Sequence, residues 1–257
     1  MLKGKKILVT GAGQGIGRGI ARAVAEAGAD VGLIDLRAET LEKTARRVEE
    51  VGRQALALVA DVTDTDRVAG VMGEFVARFG VLDGLVNNAG VIEMNPASDV
   101  SHNVWDGQFS VNVWGVMNCC QLAARQMIAQ GGPGAIVNIA SNAGKVGYGN
   151  MAAYNATKAA VISLTRTLAT EWSRHDINVN AVCPGGVDTP MLKSVAEWVA
   201  KRIGGDADEL YDSMKPKLMT RHIRPIEVGR VVAFLLSDAA VIIRGQSINV
   251  DGGDTPY

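Results

Sequence analysis

The chain has 257 residues, which is enough for one sizeable α/β domain or two small ones. Its 26 basic and 27 acidic residues give a formal net charge of -1, so there is no basic excess to hold nucleic acid or an anionic membrane. No apolar run reaches about 18 residues without a charge, which argues against a membrane-spanning helix. The cysteines, Cys119, Cys120 and Cys183, lack metal-ligand spacing, so we expect a reduced cytoplasmic protein without a metal site.

The first predicted element is a buried strand at residues 6–10, a short apolar run with β-branched residues. Glycines follow it and open an amphipathic helix that we expect to end at Gly28. Gly11, Gly15 and Gly17 form the pattern G-x-x-x-G-x-G instead of the strict G-x-G-x-x-G. A strand, then glycines, then a helix favours a dinucleotide site, because backbone N–H groups at the helix start can approach a phosphate. A flexible glycine-rich turn is the alternative.

The second predicted strand, residues 30–36, carries an acidic residue near its end. Asp35 lies 18 residues after Gly17, close to the spacing of about 20 at which a carboxylate hydrogen-bonds the adenosine ribose. A carboxylate at this position repels a 2′-phosphate, so we expect NAD as cofactor, with NADP less favoured. The neighbouring Arg37 weakens that preference, and a solvated aspartate at a strand end is the alternative.

The middle of the chain continues the alternation of strands and helices. We expect a helix over 42–52, a strand over 55–64 with Asp61 and Val62 at its end, a helix over 64–80 and a strand before Asn87. Asn88, Ala89 and Gly90 follow that strand and either line a cofactor crevice or form a turn. A long helical stretch over 101–130 then contains Asn112.

In the last part, strands over 134–140 and from 177 flank a helix over 151–172, and a Pro184-Gly185-Gly186 turn precedes Thr189. The charged, methionine-containing segment 191–224 with its Gly204-Gly205 break is interpreted as a helical lid over a pocket, or else as a plain helical excursion. A last helix over 225–238 and a seventh strand within 245–253 follow. The sequence predicts one α/β domain over 1–257, with a doubly wound seven-stranded parallel sheet of order 3-2-1-4-5-6-7 and helices on both faces.

Tyr154 and Lys158 are four residues apart, so they share one face of the predicted helix. A free phenol titrates near pH ~10, and an adjacent ammonium lowers that pKa towards the neutral range. Ser141 follows the strand over 134–140 and offers a hydrogen bond to the same reacting oxygen. The group predicts a proton-transfer site for an alcohol or a carbonyl. The alternative is a surface tyrosine and lysine on an ordinary helix.

Over essentially its whole length, the chain resembles the short-chain dehydrogenase/reductase family, a Rossmann-fold family. The resemblance is carried by T-G-x-x-x-G-I-G at Thr10 to Gly17, Asp61-Val62, N-N-A-G at Asn87 to Gly90, Asn112, Ser141, Y-x-x-x-K at Tyr154 and Lys158, Pro184-Gly185 and Thr189. These motifs occur in the family's order and spacing.

The resemblance implies a role for each matched residue. Tyr154 would be the general acid/base, Ser141 would hold the substrate oxygen, and Lys158 would bind the nicotinamide ribose and lower the pKa of Tyr154. Asn112 would anchor a water in a proton relay. The implied cofactor contacts are Gly11, Gln14, Gly15, Ile16, Gly17, Asp35, Asp61, Val62, Asn88, Ala89, Gly90, Tyr154, Lys158, Pro184, Gly185, Val187 and Thr189. Family members are commonly homotetramers built on two long helices, here those of Asn112 and Tyr154.

These observations favour an NAD-dependent oxidoreductase that interconverts a secondary alcohol, such as a diol, a polyol or a cyclic alcohol, with its ketone. One alternative is a 3-oxoacyl-acyl-carrier-protein reductase. That activity usually goes with NADPH, and the nearest basic residues for a carrier dock are Lys215, Lys217, Arg221 and Arg224. Another is a non-catalytic dinucleotide-binding module. The shape of the substrate pocket is expected to depend on Val91, Ile92 and Glu93, on the residues between Ser141 and Tyr154 and on the segment 191–224. We expect Glu93 to face water, and binding of a substrate hydroxyl or amine is the alternative.

Overall fold

The computed structural model describes all residues from Met1 to Tyr257. Seven parallel strands form one sheet in the order 3-2-1-4-5-6-7, which confirms the predicted topology. The strands are β1 (Lys6–Thr10), β2 (Asp30–Asp35), β3 (Ala55–Val59), β4 (Gly84–Asn87), β5 (Gly134–Ile139), β6 (Ile177–Pro184) and β7 (Ser247–Val250). Parallel strands are mostly apolar along their whole length here because helices cover both faces of the sheet.

Helices on each face bury a separate hydrophobic core. The helices are α1 (Gly15–Glu26), α2 (Ala38–Glu49), α3 (Thr65–Phe79), α4 (His102–Phe109), α5 (Gly115–Gln130), α6 (Ala152–Trp172), α7 (Pro190–Ile203), α8 (Ala207–Ser213) and α9 (Pro225–Leu235). One core contains Phe75 of α3 and Met127 of α5, and the other contains Ile20 of α1 and Val232 of α9. The sheet is thus clamped between two helix layers, and none of the helices combines the length and apolar character that crossing a membrane requires.

Two predicted boundaries differ from the structure, and at the end of β3 a short polar side chain redirects the backbone. The strand β3 stops at Val59, well before residue 64, since Asp61 accepts a hydrogen bond from the backbone of Thr63 (2.9 Å). Asp64 then caps α3 by accepting from Arg67 N (2.9 Å). Helix α2 begins at Ala38, four residues before the predicted start at residue 42. The loop that follows β3 is therefore longer than expected and lies at the carboxyl edge of the sheet.

The helical stretch predicted over 101–130 is interrupted by one wide turn. Residues Ser110–Trp114 form a π-helix between α4 and α5, and the fully buried Asn112 lies at its centre. A π-turn inside an α-helix often marks a functional position. Here it directs the Asn112 side chain towards the loop after β4 and towards α6.

The segment predicted as a lid contains α7 and α8, which are separated by Gly204 in a left-handed conformation (φ 75°). Two contacts fasten it to the loop after β6, and a ring stack lies within the segment itself. The Tyr211 hydroxyl donates to Asp188 Oδ1 (2.6 Å), the Tyr211 ring stacks on His222 with 4.1 Å between ring centres, and Val187 pairs with Ile223 as an isolated bridge. These contacts place α7 and α8 beside the carboxyl ends of β5 and β6.

Candidate active site

A cavity of about 980 Å³ opens at the carboxyl edge of the sheet, where the loops after β1 to β6 converge. In open α/β sheets, ligands bind in this crevice. The predicted residues that line it are Gly11, Gln14, Gly15, Ile16, Asp35, Asp61, Val62, Asn88, Ala89, Gly90, Ser141, Tyr154, Lys158, Pro184, Gly185, Val187 and Thr189. Gly17 and Asn112 do not line the cavity and act from behind its wall.

The glycine turn between β1 and α1 needs glycine at two positions for different reasons. Gly11 has a φ of +60°, and a Cβ there would lie 2.7 Å from Ala89 Cα. A Cβ on Gly17 would lie 2.0 Å from the Gly11 carbonyl oxygen, so Gly17 serves close packing of helix on turn instead of contacting a ligand. Helix α1 begins at Gly15 without a side-chain cap, which leaves its first N–H groups available to an anion.

Asn88 ties the end of β4 to this turn. Its Nδ2 donates to the carbonyl oxygens of Thr10 (3.1 Å) and Gly11 (3.0 Å), and its backbone N donates to Thr10 Oγ1 (3.0 Å). Both side-chain protons are therefore used inside the protein. Asn88 shapes the crevice, and its side-chain oxygen remains available to a ligand.

Asp35 lines the cavity at the end of β2, and two backbone N–H groups donate hydrogen bonds to its carboxylate. Its carboxylate accepts from Gly13 N (2.9 Å) and from Leu36 N (2.8 Å). Arg37, the other charged group on this rim, donates to Gln14 Oε1 (2.9 Å). The site for a ribose therefore carries one fixed negative charge, with an exposed guanidinium beside it.

Ser141, Tyr154 and Lys158 meet where β5 ends against the first turns of α6. The buried Lys158 ammonium donates to the Ile139 carbonyl (2.9 Å) and lies 5.6 Å from the centre of the Tyr154 ring. Ser141 Oγ accepts from Ala143 N (3.1 Å) and contacts the Tyr154 hydroxyl. The predicted three groups therefore share one wall of the cavity.

The pKa of Tyr154 contradicts the sequence-based expectation. Burial raises the pKa of Tyr154 to about 12, and the hydrogen bond with Ser141 opposes this only in part. Burial also lowers the pKa of Lys158 to about 8. Desolvation disfavours both charged forms, so the phenol of the protein alone is neutral at pH 7.

The side-chain amide of Asn112 is fully engaged in structural hydrogen bonds. Its Oδ1 accepts from Val91 N (2.8 Å), and its Nδ2 donates to the Val91 carbonyl (2.9 Å) and to Thr157 Oγ1 (3.1 Å). Thr157 in turn donates to the main-chain carbonyl of Tyr154 (2.7 Å). This chain of contacts joins the loop after β4 to the residue that carries the phenol. A water held by Asn112 would need its main-chain carbonyl.

A further part of the wall comes from the loop between Ser141 and Tyr154 and from the segment 191–224, both of which the sequence predicted to shape the pocket, and from Asp254, which the sequence analysis missed. This part comprises Asn142, Tyr148, Met151, Ser213, Met214, Lys215, Lys217 and Asp254. Asp254 follows β7 and reaches the cavity through two glycines with positive φ, Gly252 (60°) and Gly253 (88°). The double glycine after β7 was the only available signal of that turn. Glu93, in contrast, is exposed and does not line the cavity.

The cavity therefore brings together the glycine turn, the carboxylate of Asp35 and the group of Ser141, Tyr154 and Lys158. That arrangement belongs to the class of dinucleotide-dependent oxidoreductases. The glycine turn at Gly11 and Gly15 and the uncapped N–H groups at the start of α1 fit a cradle for a pyrophosphate. The profile of the short-chain dehydrogenases matches residues 5–200 of the chain. The chain belongs to the short-chain dehydrogenase/reductase family, whose cofactor is a nicotinamide dinucleotide.

Relatives with different substrates resemble the chain about equally. A 3-oxoacyl-acyl-carrier-protein reductase of Staphylococcus aureus is 40% identical over 253 residues, 97% of each chain. A cis-4-hydroxycyclohexanecarboxylate dehydrogenase of Sinomonas cyclohexanicum is 41% identical over 249 residues, 96% of this chain and 95% of the relative. The crystal structure of an NAD+-bound xylitol dehydrogenase matches with a TM-score of 0.91 at 37% identity, over 98% of this chain and 99% of the other.

The contact between Thr157 and the Tyr154 carbonyl gives a test of positioning. Thr157→Val removes one of the two acceptors of Asn112 Nδ2 in a fully buried place, so we expect the free energy of unfolding to fall by about 1–3 kcal/mol. We also expect turnover to fall about 10- to 100-fold, because small displacements of a catalytic group are costly. Steady-state kinetics and urea unfolding measure the two effects.

Thr165→Val is the matched control on the same helix. Thr165 is equally buried, accepts from Asn138 Nδ2 (3.0 Å) and donates to the Val161 carbonyl (2.8 Å), two turns beyond Thr157. It should lose similar stability and keep near wild-type turnover. Equal losses of turnover in both variants would contradict the positioning role of Thr157.

Proposed function

We propose that the protein is an NAD-dependent oxidoreductase that interconverts a secondary alcohol, such as a diol, a polyol or a cyclic alcohol, with its ketone. The observation that carries this proposal is the meeting of Ser141, Tyr154 and Lys158 in the same cavity as the glycine turn and Asp35. A protein that only bound dinucleotide would not need this group of proton-transfer side chains. A panel of polyols, vicinal diols, cyclic alcohols and hydroxy acids, assayed with NAD by absorbance of the reduced cofactor, tests the proposal.

In this proposal, Tyr154 exchanges the proton of the substrate hydroxyl. The dinucleotide, when bound, supplies or accepts the hydride at its nicotinamide ring. Ser141 donates a hydrogen bond to the reacting oxygen, since its present bond to Asn142 Oδ1 is long (3.3 Å) and easily exchanged. Lys158 places a positive charge next to the phenol, which stabilises the tyrosinate that alcohol oxidation requires.

In this proposal, protons reach Ser141, Tyr154 and Lys158 past the main chain of Asn112. Because its side chain is fully engaged, we assign any water of the relay to its main-chain carbonyl. The side chain then serves to hold Val91 and α6 in register. The helices α7 and α8 form the lid in this proposal, since Met191, Leu192 and Ser213 line the cavity from that side.

NAD is the proposed cofactor, with NADP less favoured, because of the charge on Asp35. A 2′-phosphate would meet a carboxylate that already accepts two backbone N–H groups and cannot turn away without losing them. Arg37 is directed to Gln14, and it would have to leave that partner to pair with a phosphate. The xylitol dehydrogenase that the chain resembles was crystallised with NAD+.

A 3-oxoacyl-acyl-carrier-protein reductase is the second candidate, supported by the Staphylococcus aureus relative. An acidic carrier protein would need free basic side chains beside the cavity. Each nearby basic residue has a partner: Lys215 pairs with Asp212, Lys217 donates to the Asp254 carbonyl (3.4 Å), and Arg221 and Arg224 share Glu227 (2.8 and 3.0 Å). Assay with a 3-oxoacyl thioester and NADPH separates the two functions.

The proposal includes a homotetramer in the cytoplasm. A groove on α4, α5 and α6 is lined by apolar side chains such as Phe109, Val113, Met117 and Leu164, and Trp114 beside them is 47% exposed. Exposed apolar patches of this kind mark protein contacts. The three cysteines are free and buried, as expected in a reducing compartment. Light scattering tests the assembly, since the chain alone has a mass of 27.0 kDa.

Tyr154→Phe tests the assignment of the proton-transfer group. It removes the hydroxyl and keeps the ring beside Lys158, so we expect the rate of alcohol oxidation to fall by about 10²–10⁴-fold. NADH binding, followed by fluorescence titration, should stay close to that of the wild type. A variant that keeps more than about a hundredth of the wild-type rate would contradict the role of Tyr154.

Asp35→Ala tests the cofactor preference. Loss of the carboxylate removes repulsion towards a 2′-phosphate and removes a charged acceptor for ribose, so the NAD/NADP ratio of kcat/KM should fall by about 10- to 100-fold. Asp35→Asn keeps an acceptor for Gly13 N and separates the effect of charge from that of the turn. An unchanged ratio in both variants would count against the ribose role.

A further inference from the structure

Two polar residues of the cavity wall, Asn142 and Tyr148, have no part in the proton transfer described above. They lie on the loop between β5 and α6, close in sequence to Ser141. Asn142 Oδ1 is 3.3 Å from Ser141 Oγ, and Asn142 Nδ2 donates to the Tyr148 hydroxyl at 2.8 Å. The buried amide of Asn142 therefore bridges the serine of the catalytic group to a second hydroxyl on the same wall.

The direction of these hydrogen bonds follows from the surroundings of Ser141. Its oxygen already accepts from Ala143 N (3.1 Å) and contacts the Tyr154 hydroxyl. The Ser141 hydroxyl donates its own proton to Asn142 Oδ1 (3.3 Å). The amide nitrogen of Asn142 must then be directed towards Tyr148. The Tyr148 oxygen accepts that bond, and its own proton has no acceptor in the protein.

The backbone of the loop that carries Tyr148 is fixed before any substrate arrives, and Asn142 Nδ2 holds the Tyr148 hydroxyl (2.8 Å). Asn155 Nδ2 donates to the Tyr148 carbonyl (2.9 Å), and the backbone N of Val146 donates to the Asn142 carbonyl (2.9 Å). Burial raises the pKa of Tyr148, and the charge of Asp254 raises it further, which keeps the phenol a proton donor. The side chain is 40% exposed and lines the cavity. A preorganised donor of this kind contributes to binding without an ordering cost.

The charge beside Tyr148 indicates the kind of group that it binds. Asp254 lines the same end of the cavity, and a carboxylate placed there would meet this like charge. A neutral hydroxyl fits better, because it can accept from Tyr148 and donate its proton to an acceptor such as Asp254. The Lys217 ammonium is engaged with the Asp254 main-chain carbonyl (3.4 Å) and does not replace that acceptor.

We propose that Tyr148 determines specificity by donating a hydrogen bond to a second, neutral oxygen of the substrate. The protein then prefers diols and hydroxyketones to simple mono-alcohols. This inference rests on the proposed function, since it concerns the substrate of the same site. Asn142 is a positioning residue in it, because it sets the direction of the Tyr148 hydroxyl and touches Ser141.

The experiment compares cyclohexanol with the 1,2-, 1,3- and 1,4-cyclohexanediols, which share one ring and differ in the second hydroxyl. We expect the wild type to oxidise at least one diol with a kcat/KM per hydroxyl roughly tenfold above that of cyclohexanol, as one hydrogen bond allows. Tyr148→Phe should lose this preference and keep its rate with cyclohexanol. NADH binding, measured by fluorescence, should be unchanged in the variant.

Tyr257→Phe is the matched control, because Tyr257 donates its hydroxyl to the Lys145 carbonyl (3.0 Å) of the same loop but does not line the cavity. It should keep the diol preference. The inference is overturned if the wild type lacks the diol preference or if Tyr148→Phe retains it. In either case, oxidation of cyclohexanol by the wild type leaves the proposed function standing. Faster oxidation of 3-hydroxycyclohexanecarboxylate than of every diol overturns it as well. Failure of all ring alcohols overturns the inference, and failure of the wider alcohol panel overturns the proposed function with it.

Discussion

A buried ammonium held against the end of the sheet organises this site. Lys158 donates to the carbonyl of Ile139, the last residue of β5, and its position on α6 brings the ring of Tyr154 to the same place one helical turn earlier. Burial disfavours the charged forms of both side chains, so their ionisation responds strongly to any further charge in the cavity. A proton-transfer group whose ionisation depends on what occupies the cavity suits a reaction in which charge moves between cofactor and substrate.

The nucleotide half of the cavity depends on a different constraint, the close approach of backbone to backbone. The turn after β1 can contact the loop after β4 only because Gly11 and Gly17 lack a Cβ. Asn88 then donates both side-chain amide protons to carbonyl oxygens of that turn. Neutral, short residues thus build the cradle, and Asp35 adds the single fixed charge. The two halves meet at Thr189, whose Cγ2 lies 3.3 Å from the position of a Cβ on Gly15.

Features set by local sequence were predictable, and those set by distant contacts were not. The topology followed from alternating strands and helices, and helix α3 was anticipated from Asp64 at its start and Gly80 at its end. The π-turn at Asn112 was missed, because its side chain is directed by Val91 and Thr157 from two other elements. The pKa of Tyr154 was predicted in the wrong direction, since desolvation depends on the whole fold while the spacing to Lys158 shows only one partner. Tyr148 and Asp254 became visible as neighbours only when the turn after β7 was in place.

The central claim is that a phenol on the cavity wall, neutral in the protein alone, gives its proton to the ketone and takes it back from the alcohol. The pH dependence of kcat/KM in both directions, at saturating cofactor, tests it most directly. The overall reaction releases a proton, so the ratio of the two rates must change about tenfold per pH unit whichever group acts. Because the phenol stays protonated well above pH 7, reduction should be flat between pH 6 and 8, and oxidation should carry the whole change by rising with pH. Oxidation that is flat over this range, with reduction that rises in acid, would show that the reacting group is already ionised near pH 7, and it would contradict a neutral phenol as the proton donor.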